Sequence, residues 1–394
     1  MLSEKMLQLG KNPSAIRDLF EYGNKRKAEI GAENVFDFSL GNPSVPAPDC
    51  VKEAVEELLN EDAVALHSYT SAVGDAKLRQ KLADYVNEQH GTTLTANNFY
   101  ITVGAAASLT ITLKALAEPG DEFIAVAPFF PEYRVFVEMT GSNLVVVQSD
   151  PKDFQLDLEA LEKAITPHTK GIILNSPNNP TGVVITEESI RKMCVILEEK
   201  QKQYDKEIFL IADEPYRELV YGDVKVPYLM NYYDNTLVCY SYSKSLSLPG
   251  ERIGYVAVSD RAKDWNMIFA AVCGAGRALG YVCAPSMFQK VITRCIGQTS
   301  DISVYKKNRD LLYEALTEYG YRCIKPDGAF YLFVEALEED AVAFAEKAKE
   351  YELLLVASDS FGTPGFVRIS YCVSTELIER SLPAFKKLAE AYRG

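Results

Sequence analysis

Little in the composition points to a special environment. The eight cysteines stand singly, without a C-x-x-C pair, and only three histidines exist to join them, so neither a disulfide framework nor a zinc site is expected. They read as small core residues. No apolar run approaches the length of a membrane span, and Met1–Asn12 mixes polar and apolar residues as no signal peptide does. The expectation is a cytoplasmic protein with no membrane partner. Basic residues are in deficit, 41 against 55 acidic, so the summed field repels nucleic acid and anionic surfaces. Any anionic ligand must therefore be held by a local cationic site. Internal repeats and low-complexity tracts are absent as well.

What the chain does have is enough apolar material, 47% of 394 residues, to bury a large core in two or three domains. From about residue 95 to 285, short β-branched runs (FYITVG, EFIAVA, GIILNS, EIFLIADEP, TLVCYSYS, GYVAVS) alternate with helical patterns such as LDLEALEKAI and TEESIRKMCVILEEKQKQY. Such alternation predicts a mostly parallel sheet covered on both faces, an α/β three-layer sandwich with its chemistry on loops after the strand ends. Residues 46–285 are expected to form this large domain. Residues 286–394, beginning with MFQKVITRCI and continuing to YRCIKP, AFYLFVEA, ELLLVAS and FVRISY, read as a smaller α/β domain. Residues 1–45 are expected to pack onto it.

Several segments carry candidate chemistry. In TLVCYSYSKSLSLPGERIGY, Lys244 follows an apolar run, is flanked by Ser241, Ser243 and Ser245, and precedes Arg252. Hydroxyls and a guanidinium suit a phosphate, and a desolvated lysine near a cation suits Schiff-base chemistry, although a lysine in a serine-rich loop can equally be a solvated surface group. Asp213 ends the apolar run IFLIAD, where a strand-terminal acid can also simply face water. LNSPNNPTG is a strand-to-helix loop whose prolines and Gly182 are explained by the turn, leaving Asn178 and Asn179 undistinguished. YITVGAAASL reads as a strand, a turn at Gly104 and a helix start, where main-chain amides of Ala105 and Ala106 welcome a phosphate. Arg368 in GFVRISY alternates with apolar neighbours, and a buried arginine needs an anion, either a ligand carboxylate or an internal partner.

The segment SYSKSLSLPGERIGY closely resembles the cofactor-lysine segment of class I aminotransferases, in the fold-type-I pyridoxal-phosphate family, and the likeness extends over nearly the whole chain. It implies pyridoxal 5'-phosphate bound to Lys244, with Ser241, Ser243 and Arg252 on the phosphate. In this family's D-x-x-Y motif Asp213 would hold the ring nitrogen protonated and Tyr216 would bind the 3-oxygen. The asparagine before Pro-Thr-Gly, Asn179, would also reach that oxygen and the substrate. Ser176 replaces the first residue of the family's N-P-x-N-P-T-G. The stacking aromatic would be Phe130, where many relatives carry Tyr or Trp. Gly104, Ala105 and Ala106 lack the hydroxyl that relatives often place there. Arg368 would clasp the substrate α-carboxylate, Gly41 would line the substrate pocket unless it is only a turn glycine, and Tyr69 would reach the phosphate of a neighbouring subunit, which implies a homodimer.

The implied reaction is amino transfer from an amino acid, aspartate-like by family expectation, to a 2-oxo acid by a ping-pong route. A dicarboxylate needs a second cation, and Arg17 or Arg277 are the candidates. A carbon–sulfur lyase would share the same cofactor shell. Ser241-Tyr-Ser-Lys244 is also an S-x-x-K tetrad of acyl-transfer enzymes, but that pattern should open a helix, whereas here it follows a strand-like run and precedes Pro-Gly, and no KTG or SDN element accompanies it. CGAGRALG has its third glycine one residue late for a dinucleotide loop. A regulator of this fold would carry a DNA-binding segment, and none is evident.

Overall fold

The computed structural model describes residues 2–12 and 14–393. Its strands are β1 (Phe36–Asp37), β2 (Phe99–Thr102), β3 (Glu122–Ala127), β4 (Asn143–Gln148), β5 (Thr169–Asn175) and β6 (Phe209–Asp213). They continue as β7 (Thr236–Ser241), β8 (Gly254–Val258), β9 (Tyr331–Glu335), β10 (Leu353–Leu354), β11 (Val356–Ala357) and β12 (Phe366–Ser370). Seven form one sheet in the order β2-β8-β7-β6-β5-β3-β4, parallel except that β8 runs against both β2 and β7.

Strand β6 shows why both faces are covered. Phe209 and Ile211 enter a core shared with helices Ala105–Leu116 and Trp265–Leu279. Leu210 and Ala212, pointing the other way, enter one shared with Ala76–His90, Glu187–Tyr204 and Ser286–Cys295. Burying each large aliphatic side chain contributes about 1.5–3 kcal/mol, so a strand apolar at every position is stable only between two helical layers. Local signals set the helix ends. Asp75 accepts from the amides of Lys77 and Leu78, and Thr186 caps Glu187–Tyr204 ahead of two glutamates in its first turn.

A second core gathers around the antiparallel sheet β11-β12-β9 and helices Ser303–Glu318 and Thr375–Ala391. The N-terminal segment joins it through β1, which pairs in parallel with β10. Three expectations need correction. Helix Ser286–Cys295, expected at the head of the smaller unit, packs on Asp49–Leu58 and Ala76–His90, because Val291, Ile292 and Cys295 are buried in the first core. The change of core falls between Cys295 and Ile302. YRCIKP forms only an isolated bridge from Cys323 to Val334, and ELLLVAS is divided between two sheets, since Leu353 and Leu354 pair with β1 while Val356 and Ala357 pair with β12.

Candidate active site

The C-terminal ends of β5, β6 and β7 meet at one edge of the large sheet, and the antiparallel β8 begins there. That edge opens into a cavity of about 260 Å³ lined by residues from both cores, among them Asn179, Asp213, Lys244, Arg252 and Arg368.

Asp213, the last residue of β6, is buried. Its Oδ2 accepts from the Tyr133 hydroxyl, while its Oδ1 has no hydrogen-bond partner. Burial pushes the carboxyl up to about 7, against the pull of the Tyr133 bond. Its backbone carbonyl accepts from Asn175 Nδ2 at 2.8 Å, and Asn175 Oδ1 accepts from the Asn179 amide at 2.7 Å, so β5 fixes both the acid and the asparagine loop. The two asparagines separate in function. Asn178 Oδ1 accepts from the amide and hydroxyl of Thr181 and so braces the turn, whereas Asn179 lines the cavity.

Lys244 lies in a one-turn helix, Tyr242–Ser245, capped by Ser241, whose Oγ accepts from the Ser243 amide at 3.2 Å and lies 2.7 Å from Ser243 Oγ. The S-x-x-K tetrad therefore does open a helix, contrary to expectation; the hydroxyl-rich cap, not the apolar strand before it, decides the local backbone. Lys244 Nζ donates to the Gly41 carbonyl at 2.6 Å and sits 5.3 Å from the centre of the Phe330 ring. Burial pulls its amine down to about 8, with Arg368 and Arg252 acting in the same direction. It is not a solvated surface lysine.

Arg252 begins the approach to β8 with a left-handed backbone, φ 51°, and donates to the Pro249 carbonyl at 2.9 Å. A Cβ on Gly104, itself at φ 95°, would come within 2.9 Å of Arg252 Nη2, so glycine there serves both the turn and the guanidinium. Ala105 and Ala106 open the following helix onto the cavity, and half-buried Phe130 forms one wall. Gly41 is more than a turn residue, since a Cβ there would meet the Tyr331 hydroxyl at 2.0 Å.

Arg368, on β12, is only 2% exposed. It donates to Asn179 Oδ1 at 3.1 Å and to the Ser39 carbonyl at 2.6 Å, and its Nε has no partner. Its guanidinium lies over Tyr331, 4.7 Å from the ring centre. Among the described residues no carboxylate pairs with it, which removes the internal salt bridge as its explanation. Tyr216 and Tyr331 share a 2.9 Å hydroxyl contact beside it.

Tyr69 is 95% exposed and does not line this chain's cavity. Neither does Arg17 or Arg277, both exposed; Ile16 and Leu40 occupy the wall instead. Sequence reasoning missed Tyr133, Asn175 and Tyr331. Asn175 ends an apolar run and Tyr331 lies within one, a signal that could have been read, whereas Tyr133 stands between Glu132 and Arg134 with no such mark and its partner lies far along the chain.

These residues fit pyridoxal phosphate. An unpartnered buried carboxylate oxygen suits a protonated ring nitrogen, and a helix start beside Arg252 and two serines suits a phosphate. Residues 33–385 match the family model of aminotransferase class I and II. The chain is 29% identical to a probable aspartate aminotransferase of Methanocaldococcus jannaschii, over 96% of this chain and 97% of that one. A crystal structure of an aminotransferase from Eubacterium rectale superposes with a TM-score of 0.98 at 59% identity, covering all of both chains. The aspartate aminotransferase of Thermus thermophilus solved with maleate gives 0.88 at 26% identity, covering 98% of this chain and 99% of that one.

Proposed function

The chain belongs to the class I and II aminotransferases and uses pyridoxal phosphate to move amino groups, and from that premise we propose the following roles for its residues. Lys244 would hold the cofactor on Nζ, and its free amine would take the substrate α-proton and give it back in the course of transfer. Its lowered affinity for protons supports this, because part of the amine is free at neutral pH. Asp213 holds the proton on the ring nitrogen through Oδ1, and Tyr133 keeps the other oxygen in place. Tyr216 and Asn179 bind the ring 3-oxygen, Phe130 stacks on the ring, and Ser241, Ser243, Arg252 and the amides after Gly104 hold the phosphate. Gly41 and Arg368 bind the substrate, the latter through its carboxylate. When bound, the cofactor supplies a ring that accepts the electron pair left by the departing proton. The observation that carries this reading is that Lys244, Asp213, Arg252 and Arg368 line one cavity toward which a buried carboxylate oxygen remains unpartnered.

The partner copy is part of the proposal. Around Tyr69 the surface exposes Leu279, Tyr281 and Val282, and Cys283 donates to the Thr70 carbonyl, which ties that segment to the Tyr69 loop. Apolar exposure of this kind marks an interface. In a homodimer Tyr69 would reach the phosphate across it, and Arg277, exposed on the same segment, would bring the second cation that an aspartate-like substrate requires. A cytoplasmic location, suited to eight free thiols, and a division into N-terminal segment, large unit and small unit with the last boundary after Cys295 belong to the same reading.

The test is a panel of amino acids scored for conversion of the bound cofactor to its pyridoxamine form. Conversion by any of them with release of the matching oxo acid supports amino transfer, and release of pyruvate and ammonia without conversion would favour a lyase. Arg277→Ala should weaken aspartate and leave alanine unchanged; equal loss for both would remove Arg277 from specificity.

A further inference from the structure

Behind the cavity, on the far side of the Asp213–Glu218 turn, lies a second group of buried charges with no role in the mechanism above. The Glu214 carboxylate pairs with the Arg217 guanidinium, with the two side chains 2% and 10% exposed. Arg217 also lies over the Tyr228 ring, 4.5 Å from its centre, and His90 stacks on the same ring at 4.1 Å. Glu218, next in sequence, borders the same small cavity as Tyr240. Tyr240 in turn donates to Ser245 Oγ at 2.9 Å.

Beyond that ion pair, Arg217 Nη1 and Glu218 Oε2 are buried without a hydrogen-bond partner. Arg217 and Glu218 border a cavity of about 20 Å³, the size that accepts one water. Burial pushes the Glu218 carboxyl up, opposed by Arg217, and burial holds His90 down at about 4, with Arg217 adding to it.

Position gives this group its meaning. Glu214, Arg217 and Glu218 alternate with Asp213 and Tyr216 on one turn, and Ser245 ends the helix that holds Lys244. We propose that the Glu214–Arg217–Glu218 cluster is a positioning device that, through Tyr240 and Ser245, fixes the turn bearing Asp213 and Tyr216 against the helix bearing Lys244. It touches neither substrate nor cofactor. The inference rests on the roles given above to Asp213 and Lys244. A displacement of about 1 Å between a proton-transfer group and its target can cost up to a hundredfold in rate, so such a link matters to chemistry rather than to binding.

The test uses the holoenzyme. Tyr240→Phe and Glu218→Leu should each lower the rate constant for cofactor conversion about tenfold with KM little changed, and should move the pH midpoint of the visible band by about half a unit. Glu218→Gln, which keeps a polar side chain of the same shape beside Tyr240, should restore the rate, and the double variant Tyr240→Phe/Glu218→Leu should lose no more than the worse single one. Lower melting temperature with rate and band midpoint unchanged would make the cluster mere scaffold and overturn the proposal. If Lys244→Ala still formed a borohydride-sensitive band, the assignment of Lys244 would fall and this inference with it. If that control holds and Tyr240→Phe reacts at the wild-type rate, only the present inference fails.

Discussion

Two buried arginines define opposite ends of the same machinery. Arg217 faces a carboxylate three residues away and is enclosed by aromatic rings. Arg368 is as deeply buried but meets only an asparagine oxygen, a backbone carbonyl and the faces of Tyr331 and Phe361. Burying a cation costs several kcal/mol unless an anion answers it. In Arg217 the answer is built into the chain. For Arg368 the proposed answer is a ligand carboxylate, and on that reading burial of charge distinguishes a brace from a binding site. Lys244 is hydrogen-bonded to the N-terminal segment at Gly41, in a helix whose last residue, Ser245, accepts from the Tyr240 hydroxyl.

The comparison can be broken by experiment. Lys244→Ala should abolish the borohydride-sensitive band and lower turnover by about 10³-fold or more, whatever the state of either arginine. A variant still turning over within tenfold of wild type would remove the lysine from the centre of this scheme. Arg217→Ala leaves Glu214 buried without its cation and should destabilise the fold by about 3–5 kcal/mol, read from urea unfolding. Arg368→Ala should reverse that pattern. Stability holds or rises, cofactor colour persists, and kcat/KM for the amino substrate falls by about 10²-fold, from loss of a charge-assisted pair worth about 2–3 kcal/mol. Equal stability losses in the two variants would end the distinction.

The acid and the lysine predict a pH signature of the cofactor-free protein. Asp213, pushed up to about 7 in the fold, binds its proton more tightly than in the unfolded chain, so its ionisation erodes stability as pH rises from about 4 to 7. Lys244, pulled down to about 8, binds its proton less tightly, so stability recovers between about 8 and 10. Melting temperature should therefore pass through a minimum between about 7 and 8. Asp213→Asn should flatten the acid side and Lys244→Ala the basic side; a profile unaltered by both would show that neither group carries its shift. The smallest effect is expected at the interface, where Tyr69→Phe should weaken cofactor retention by about 1 kcal/mol. Dialysis against competing aldehyde would measure it, and an unchanged loss rate would detach Tyr69 from the phosphate.

Much of the site was legible because its chemistry is local. The serines, lysine and arginine around Lys244 lie within twelve residues of chain, although the one-turn helix that Ser241 caps ran against the expectation. Asp213 was visible as the single acid ending an apolar strand. Tyr133 was not, since its hydroxyl acquires meaning only from an acid 80 residues away, nor was Tyr331, whose partner Tyr216 is 115 residues distant. The division of ELLLVAS had the same cause: two dipeptides one residue apart pair with strands from opposite ends of the chain.

The sequence by itself determined the alternation of strands and helices, the strand ends that carry acid, asparagine and lysine, and the turn at Gly104. These depend on periodicity and on conformations accessible to single residues. Only the tertiary structure decided which core Ser286–Cys295 joins, that Arg368 lacks an anion while Arg217 has one, and that the amine of Lys244 meets the carbonyl of Gly41. The physical reason is that desolvation and charge pairing are properties of surroundings assembled from distant segments, and no spacing within one segment encodes them.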